Sequence, residues 1–235
     1  NLVSDDTSFG LAQAENAVAA MTSALIGYNA ERARGLFTFG GTGTLLYGVK
    51  TGLEKACPDT MAQGLSEDAV VLVSGQGHYC ALNVAGWLGL GEQRVISLPT
   101  TTDNAIRIDL LERALRFQLH AGRRIAAIIA TMGSTDALGI DDLAEIVELR
   151  DRLQQEFTLD YQPHVHADAV IGWAWSVFDE YDMETNTLGF RPRTLRALAA
   201  VRRRILALKL ADSVGIDFHK SGFCPYVSSL LLVRD

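Results

Sequence analysis

Short apolar runs alternate along this chain with longer segments whose apolar residues recur at helical spacing. The short runs predict strands at 36–39, 69–73, 94–98, 125–131, 165–167, 213–217 and 226–233. The longer segments predict helices over 11–28, 43–56, 79–88, 109–120, 140–157 and 191–209. Asp109 lies near the start of the fourth helix, and Asp141 is the candidate N-cap of the fifth.

This alternation determines the fold class that we expect. Strands joined by helices form right-handed βαβ crossovers, which place helices on both faces of a mostly parallel sheet. The sequence therefore predicts a three-layer α/β domain. In such sheets ligands bind beside the carboxyl ends of the strands, so the residues that follow each strand are the candidates for function.

No internal repeat, low-complexity tract or proline-rich linker divides the sequence, and we expect residues 1–235 to form one domain. The sequence starts at Asn1 without a methionine and stops at Asp235, directly behind an apolar run. A complete domain seldom ends on an uncovered core strand, because an exposed strand edge invites pairing. We therefore expect this sequence to be part of a longer chain.

Composition and charge argue against several kinds of partner. The 235 residues are 48% hydrophobic and 21% charged, which suits a globular core, and the net charge is −7. A negative chain is a poor ligand for nucleic acid or an anionic membrane surface, and the arginines at 202–204 fit one exposed helix face. No stretch reaches the roughly 20 apolar residues of a membrane-spanning helix, and no signal peptide is recognisable.

The cysteines indicate a cellular compartment. Cys57, Cys80 and Cys224 are odd in number and far apart, with neither metal-ligand spacing nor a disulfide framework. Unpaired cysteines of this kind are typical of a reducing compartment, so we predict a cytoplasmic protein.

A glycine-rich turn, Gly40-Gly41-Thr42-Gly43-Thr44, follows the first predicted strand and opens a helix. Glycines let the backbone approach an anion, and the amides at a helix N-terminus favour a phosphate, with the threonine hydroxyls as further donors. A tight turn with a threonine cap is the alternative. The segment is neither a Walker P-loop nor a G-x-G-x-x-G fingerprint.

Two further strand ends carry polar residues. His78 stands at the start of a helix after the strand at 69–73, where an imidazole could stack on a heteroaromatic ring or simply cap the helix. Ser134 and Thr135 follow the strand at 125–131 beside Gly133, and small hydroxyl residues there could donate to a ligand or form an ordinary loop.

Asp168 follows the strand at 165–167 and is bracketed by small apolar residues. A carboxylate in such a place needs a cation or a donor, and a protonated pyridine nitrogen is one such partner. The rival hypothesis is a metal site formed by His164, His166 and Asp168, because alternate residues of a strand face the same way. No further Cys, His or Glu cluster completes a zinc-type shell around them.

Lys220 follows the strand at 213–217, directly after His219. A lysine amine on a rigid element can condense with an aldehyde, and pyridoxal phosphate is the commonest carbonyl cofactor held in that way. A solvated lysine is the ordinary alternative for a single position of this kind.

Together these segments resemble the group II pyridoxal-phosphate-dependent decarboxylases of fold type I, which act on aromatic amino acids, glutamate, histidine or diaminobutyrate. The resemblance covers residues 35–235, and all of its motifs occur in family order. The motifs that carry it are FTFGGT at 37–42, VSGQGHY at 73–79, ATMGST at 130–135, HADA at 166–169, ADS at 211–213 and DFHK at 217–220.

The resemblance implies the roles of the residues around the cofactor ring. Lys220 would form the internal aldimine and Asp168 would pair with the pyridine nitrogen and keep it protonated. His78 would stack on one face of the ring and assist proton transfer, while Ala169 and Val170 would pack near the other face.

The resemblance also implies contacts outside the ring plane. Gly41 and Thr42, together with His219, would bind the phosphate of the cofactor. Ser134 or Thr135 would approach the ring substituents.

For the chain as a whole, the resemblance implies the large, cofactor-binding domain of a homodimeric enzyme that converts an L-amino acid to its amine and carbon dioxide. Val170 stands where the family usually has alanine, Ser134 where it has threonine, and Ser221 where it often has an aromatic residue. The segment DFHKS is similar to the diaminobutyrate-type members. Three alternatives stay open: an aldehyde lyase of the same fold, a catalytically silent cofactor-binding scaffold, and a Rossmann-type module without pyridoxal phosphate.

Overall fold

A seven-stranded sheet forms the centre of the computed structural model, which describes residues 10–65, 68–133, 135 and 138–235. The strands are β1 (Arg34–Thr38), β2 (Ala69–Ser74), β3 (Val95–Leu98), β4 (Arg124–Thr131), β5 (His164–Asp168), β6 (Ser213–Asp217) and β7 (Ser229–Val233). They lie in the order β1-β7-β6-β5-β4-β2-β3. Strand β7 is antiparallel to β1 and β6, whereas the remaining neighbours are parallel. The predicted mostly parallel sheet is confirmed.

Helices cover both faces of this sheet. They are α1 (Leu11–Leu25), α2 (Gly41–Ala56), α3 (Thr60–Gln63), α4 (Cys80–Trp87), α5 (Ile108–His120), α6 (Leu143–Glu156), α7 (Pro192–Ile205) and α8 (Phe218–Ser221). Short 3₁₀ segments occur at Glu92–Arg94, Gly172–Phe178 and Leu206–Leu210. No helix among the described residues is both long enough and apolar enough to cross a membrane.

Two apolar cores separate the three layers. Val70 and Leu72 of β2 belong to the core beneath α1, α5 and α6, whereas Val71 and Val73 of the same strand belong to the core beneath α2 and α4. Successive side chains of a strand point to opposite faces, so a strand that is apolar at every position must be covered on both sides. This explains why the central strands are continuous apolar runs rather than alternating ones.

Helix α2 approaches the sheet closely because it has glycine on its inner face. A β-carbon at Gly48 would lie 2.8 Å from Cγ of His166 on β5. One at Gly52 would overlap the carbonyl oxygen of Ala126 and lie 3.0 Å from Cβ of His164. These contacts fix the distance between α2 and the strands β4 and β5. They therefore also fix the position of the glycine-rich turn at the N-terminus of α2.

A buried ion pair ties the opposite layer to the sheet. Arg150 on α6 donates from Nη1 to Oδ2 of Asp212 at 2.9 Å, and both side chains are buried. Asp212 also accepts from the backbone N–H of Val165 at 2.8 Å and from Arg234 at 3.2 Å. Through these three hydrogen bonds the carboxylate of Asp212 links the start of β6 to β5, to α6 and to the end of β7.

Several predicted boundaries need correction. Asp142, rather than Asp141, caps α6 by accepting from the backbone N–H of Glu145. Asp141 is buried and accepts instead from the N–H groups of Ile106 and Thr131, both at 2.6 Å. Burial raises the pKa of Asp141 to about 6, against the effect of these hydrogen bonds. Sequence spacing could not separate two adjacent aspartates whose partners lie far away in the chain.

Other differences lie at the ends of elements. The first predicted strand is displaced toward the N-terminus and ends at Thr38, and the third begins at Val95 after a 3₁₀ turn. The last predicted helix ends at Ile205 and continues as a 3₁₀ segment. The final strand begins at Ser229 instead of position 226, since the preceding residues 223–227 are exposed and cannot pair in the sheet.

We expect Gly48→Ala to lower the free energy of unfolding by about 1 to 3 kcal/mol, because the added methyl group must displace the buried ring of His166. The matched control is Gly86→Ala on α4, where a β-carbon meets nothing within 4 Å. That substitution should stabilise the protein by up to about 1 kcal/mol through helix propensity. Urea unfolding measures both, and equal stability of the two variants would contradict this account of α2 packing.

Candidate functional site

A cavity of about 250 Å³ opens at the carboxyl ends of β1, β2, β5 and β6. These strands point the same way, so the residues that follow them converge although they are far apart in sequence. The cavity is lined by Phe39, Gly40, Gly41, Thr42, His78, Tyr79, Cys80, Thr135, Asp168, Val170, Asp217, His219, Lys220 and Tyr226.

The glycine-rich turn forms one wall of the cavity, at the N-terminus of α2. Gly40 has φ 123°, a conformation that favours glycine, and its carbonyl accepts from the N–H groups of Gly43 and Thr44. A β-carbon at Gly41 would lie 2.9 Å from Cγ1 of Val170, so glycine keeps this wall open. The amides of Gly41 and Thr42 precede these first hydrogen bonds of the helix, and amides in that position attract anions. Thr42 faces the cavity, whereas the hydroxyl of Thr44 donates to the carbonyl of Gly41.

Asp168 lies at the end of β5 and is only 7% exposed. Burial raises the pKa of its carboxyl to about 6, while the positive charge of Lys220 and a backbone hydrogen bond at Val170 oppose the rise. At neutral pH this carboxylate is therefore an anion in surroundings that disfavour it. A cationic group in the cavity would be stabilised beside it.

His78 lies at the mouth of the cavity, immediately before α4. Its Nδ1 accepts from the backbone N–H of Cys80 at 3.1 Å, which leaves the proton of the neutral ring on Nε2. Its ring stacks on that of Tyr79, with 4.3 Å between centroids and 27° between planes. Both contacts hold the imidazole in a defined orientation.

Lys220 reaches the cavity from α8, one turn beyond the end of β6. Its Nζ lies 2.8 Å from Oδ2 of Asp217, and its side chain is 28% exposed. His219 lies beside it: its Nδ1 is within hydrogen-bonding distance of the backbone of Ser228, and its ring meets the edge of Tyr226. The lysine is thus held by a carboxylate and still open to a ligand.

The structure brings most of the predicted site residues to this one cavity, though not all. Ser134 lies outside the described residues, and Thr135 lines the cavity as an exposed residue. Val170 lines the cavity, whereas its neighbour Ala169 is fully buried in the core beneath α1, α5 and α6. Neighbouring residues of extended chain point to opposite sides, so Asp168 and Val170 share the cavity side and Ala169 does not.

Sequence reasoning missed several residues of the lining: Phe39, Tyr79, Cys80, Asp217 and Tyr226. Asp217 ends β6 and could have been found as a polar residue at a strand end. The aromatic residues carried no such pattern, because their place depends on loops. Cys80 occupies the first turn of α4, and burial raises the pKa of its thiol to about 12, with a further contribution from the charge of Asp168.

His164 and His166 serve the core. Both are fully buried, and His164 Nε2 and His166 Nδ1 each lie 2.8 Å from the hydroxyl of Ser213. Burial lowers the pKa of each to about 3, so both are neutral at neutral pH. Within the described ranges no three His, Cys, Asp or Glu side chains are grouped to hold a metal ion.

Known proteins with similar sequences are amino-acid decarboxylases. The L-2,4-diaminobutyrate decarboxylase of Rhizobium meliloti is 29% identical over 203 residues, covering 86% of this chain and 34% of the relative. The L-tyrosine decarboxylase of Enterococcus faecalis is 27% identical over 176 residues, covering 70% of this chain and 28% of the relative. The chain therefore spans about a third of the length of these curated relatives. No family model matches it.

Solved structures with the same fold confirm the predicted architecture. Mouse CSAD superposes with a TM-score of 0.75 at 25% identity, covering 94% of this chain and 40% of that one. The glutamate decarboxylase domain of a Vibrio parahaemolyticus diaminobutyrate-pyruvate transaminase and L-2,4-diaminobutyrate decarboxylase superposes with a TM-score of 0.76 at 22% identity, covering 100% of this chain and 46% of that one. The fold is that of the fold type I decarboxylases.

We expect alkylation of the native protein at neutral pH to modify the exposed Cys224 and to spare Cys80, although Cys80 lines an open cavity. The thiolate is the reactive form, and a thiol with a pKa of about 12 supplies almost none of it. Iodoacetamide treatment followed by peptide mass spectrometry measures both sites. Equal rates at the two cysteines would contradict the assigned environment of Cys80.

Proposed function

We propose that this chain, whose sequence relatives are amino-acid decarboxylases, binds pyridoxal 5′-phosphate and takes part in the decarboxylation of an L-amino acid to its amine. The observation that carries the proposal is the convergence of Lys220, Asp168 and the N-terminus of α2 on one cavity. Pyridoxal phosphate has an aldehyde, a basic ring nitrogen and a phosphate. An amine can bond to the aldehyde, a carboxylate can pair with the protonated nitrogen, and an anion-binding turn can hold the phosphate.

The residues present fit such a cofactor. Gly41 keeps open a space that any side chain would fill against Val170 and Asp217, next to the amides that suit a phosphate. Asp168 is a buried anion that a protonated ring nitrogen would neutralise. His78 lines the cavity, and its hydrogen bond with Cys80 fixes the orientation of the imidazole. A fixed imidazole is suited to stack on the ring of the cofactor.

Each residue has a role that its environment supports. Asp168 would hold a proton on the ring nitrogen, because a neighbouring anion favours the charged form of a base. Lys220 would hold the aldehyde carbon through its amine. Gly41, Thr42 and His219 would hold the phosphate, and His78 would cover the ring, with its Nε2 proton on the side away from Cys80. When bound, pyridoxal phosphate supplies an electron sink for the electron pair left by the departing carbon dioxide.

The proposal also includes the oligomeric state and the cellular location of the protein. We propose a cytoplasmic homodimer, in line with the family resemblance. Exposed apolar residues beside the cavity, Phe223 at 104% and Tyr226 at 82% relative exposure, would be covered in such a dimer.

The direct test is to reconstitute the full-length protein with pyridoxal phosphate and to measure carbon dioxide release from each amino acid. Release from one or a few L-amino acids, with the matching amine as product, is the expected result. An aldehyde product without carbon dioxide would identify a lyase of the same fold instead. Cofactor binding without turnover of any amino acid would indicate a silent scaffold.

We expect Lys220→Ala to abolish the visible absorbance of the reconstituted protein, because no other lysine lines the described part of the cavity. Lys209→Ala is the matched control, since Lys209 is exposed on a distant 3₁₀ segment and should leave the absorbance unchanged. Absorbance spectra recorded after removal of unbound cofactor measure both variants. Full absorbance in the Lys220→Ala variant would contradict the assignment of Lys220 as the cofactor-binding lysine.

We expect Asp168→Asn to lower carbon dioxide release by roughly 10- to 1000-fold, the range by which a neighbouring charge shifts the protonation of a base. Asp160→Asn makes the same chemical change at a side chain that is 77% exposed, and it should alter the rate little. Initial rates at saturating cofactor measure the effect. A rate for Asp168→Asn within twofold of the unmodified protein would show that this carboxylate does not govern ring protonation.

A further inference from the structure

Asp217 is a buried carboxylate in direct contact with Lys220, and neither the motifs nor the proposed function assigns it a role. It is the last residue of β6 and is 1% exposed. Its Oδ2 lies 2.8 Å from Nζ of Lys220, three residues further along the chain. The turn from β6 into α8 therefore places an anion against the amine that the proposed function depends on.

Strand β7 holds this carboxylate in place. Asp217 and Ser229 are paired in the antiparallel register of β6 and β7, and the hydroxyl of Ser229 donates to Oδ1 of Asp217 at 2.6 Å. The backbone carbonyl of Asp217 accepts from Nε1 of Trp173 at 3.1 Å. Ser229 is fully buried. Both ends of the residue are fixed, so the carboxylate keeps its position whether or not Lys220 is bound to it.

The two carboxylate oxygens of Asp217 have different partners. Oδ1 is committed to Ser229, whereas Oδ2 faces Lys220 as an ion pair without an aligned hydrogen bond. Nε2 of His219 lies 3.6 Å from the same Oδ2. A buried carboxylate needs a compensating charge, and Lys220 is the nearest cation. Because the pair is not locked by ideal geometry, the lysine can leave it for a ligand.

Other ionisable groups surround Lys220 on neighbouring elements. Asp168 at the end of β5 interacts with it through charge, as does Cys80 on α4. The remaining ionisable residues of the cavity are His78, Tyr79, His219 and Tyr226. Asp217 differs from all of these because it combines full burial, a fixed position and a contact of 2.8 Å.

We propose that Asp217, fixed by Ser229, is the positioning residue of Lys220: it holds the amine in an ion pair and aims it into the cavity until a ligand draws the amine away. This positioning role rests on the 2.8 Å contact and on the fixed carboxylate. The consequence for cofactor attachment rests on the proposed function, because the amine must leave the ion pair to bond to an aldehyde carbon.

The test is acylation of Lys220 in the cofactor-free full-length protein at neutral pH, with Lys209 in the same sample as internal reference. Acetic anhydride reacts with the free amine only, and peptide mass spectrometry gives the ratio of the two sites. Asp217→Asn keeps the size of the side chain and an acceptor for Ser229 but removes the charge. We expect the ratio of Lys220 to Lys209 acylation to rise about tenfold or more, because the amine of Lys220 is no longer held in an ion pair with a carboxylate.

A ratio within twofold of the unmodified protein would overturn the proposal, since a purely structural aspartate would leave it unchanged. Asp160→Asn is the matched control and should leave the ratio unchanged, because that carboxylate is exposed and paired with Arg124. Should Asp217→Asn fail to fold, Ser229→Ala decides instead. It keeps the charge but frees the carboxylate to turn away, so the ratio should rise several-fold, and an unchanged ratio would contradict the proposal.

Cofactor attachment provides a second, separable readout. With Asp217→Asn, attachment of pyridoxal phosphate at neutral pH should be faster, because the amine is no longer held in the ion pair. A protein that takes up no pyridoxal phosphate would refute the proposed function and leave the acylation result standing. Attachment at an unchanged rate, together with unchanged acylation, would refute the role of Asp217 alone.

Discussion

The cavity depends on one arrangement of charge: two buried carboxylates beside one lysine. Asp168 and Asp217 end neighbouring parallel strands, and Lys220 contacts Asp217 and acts on Asp168 through its charge. Two buried carboxylates against one lysine leave the cavity short of positive charge, which is costly in buried surroundings. On the proposed function, a ligand with a positive ring nitrogen beside Asp168 would relieve this cost, and its phosphate would lie at the N-terminus of α2.

The sheet makes this arrangement possible by bringing distant residues together. The glycine-rich turn, His78, Asp168 and Lys220 each follow a different strand, and all four strands run in one direction. The antiparallel β7 lies between β1 and β6, and these two strands still run in the same direction. Strand β7 also provides Ser229, which holds Asp217 in place. The close approach of α2 to β5 then fixes the distance between the glycine-rich turn and Asp168.

Much of this was predictable from the sequence because continuous apolar runs locate buried strands, and polar residues directly after them locate the ligand-binding edge. Gly41, Thr42, His78, Asp168, Val170, His219 and Lys220 were found in this way or through the family motifs, and all line the cavity. Asp217 was equally visible at a strand end, but nothing in the sequence shows that it contacts Lys220. That contact depends on the short helix α8, which is one turn long and has no periodic pattern.

The remaining errors also have physical causes. Asp141 and Asp142 are adjacent, and only the buried amides of Ile106 and Thr131 determine which one caps α6. Ala169 was expected near the ring, yet the alternation of extended chain directs it into the core. Phe39 and Tyr226 lie within the predicted strands at 36–39 and 226–233, yet both stand outside β1 and β7 and line the cavity. Apart from Ala169, contacts made across the fold decide these cases.

The central claim is that Lys220 is the residue that holds an aldehyde cofactor in this cavity. Incubation with pyridoxal phosphate, reduction with borohydride and peptide mapping by mass spectrometry test it directly, because reduction makes the attachment permanent. We expect the cofactor mass on the peptide that contains Lys220 and on no other lysine at comparable yield. Attachment at another lysine, or none at all, would contradict it.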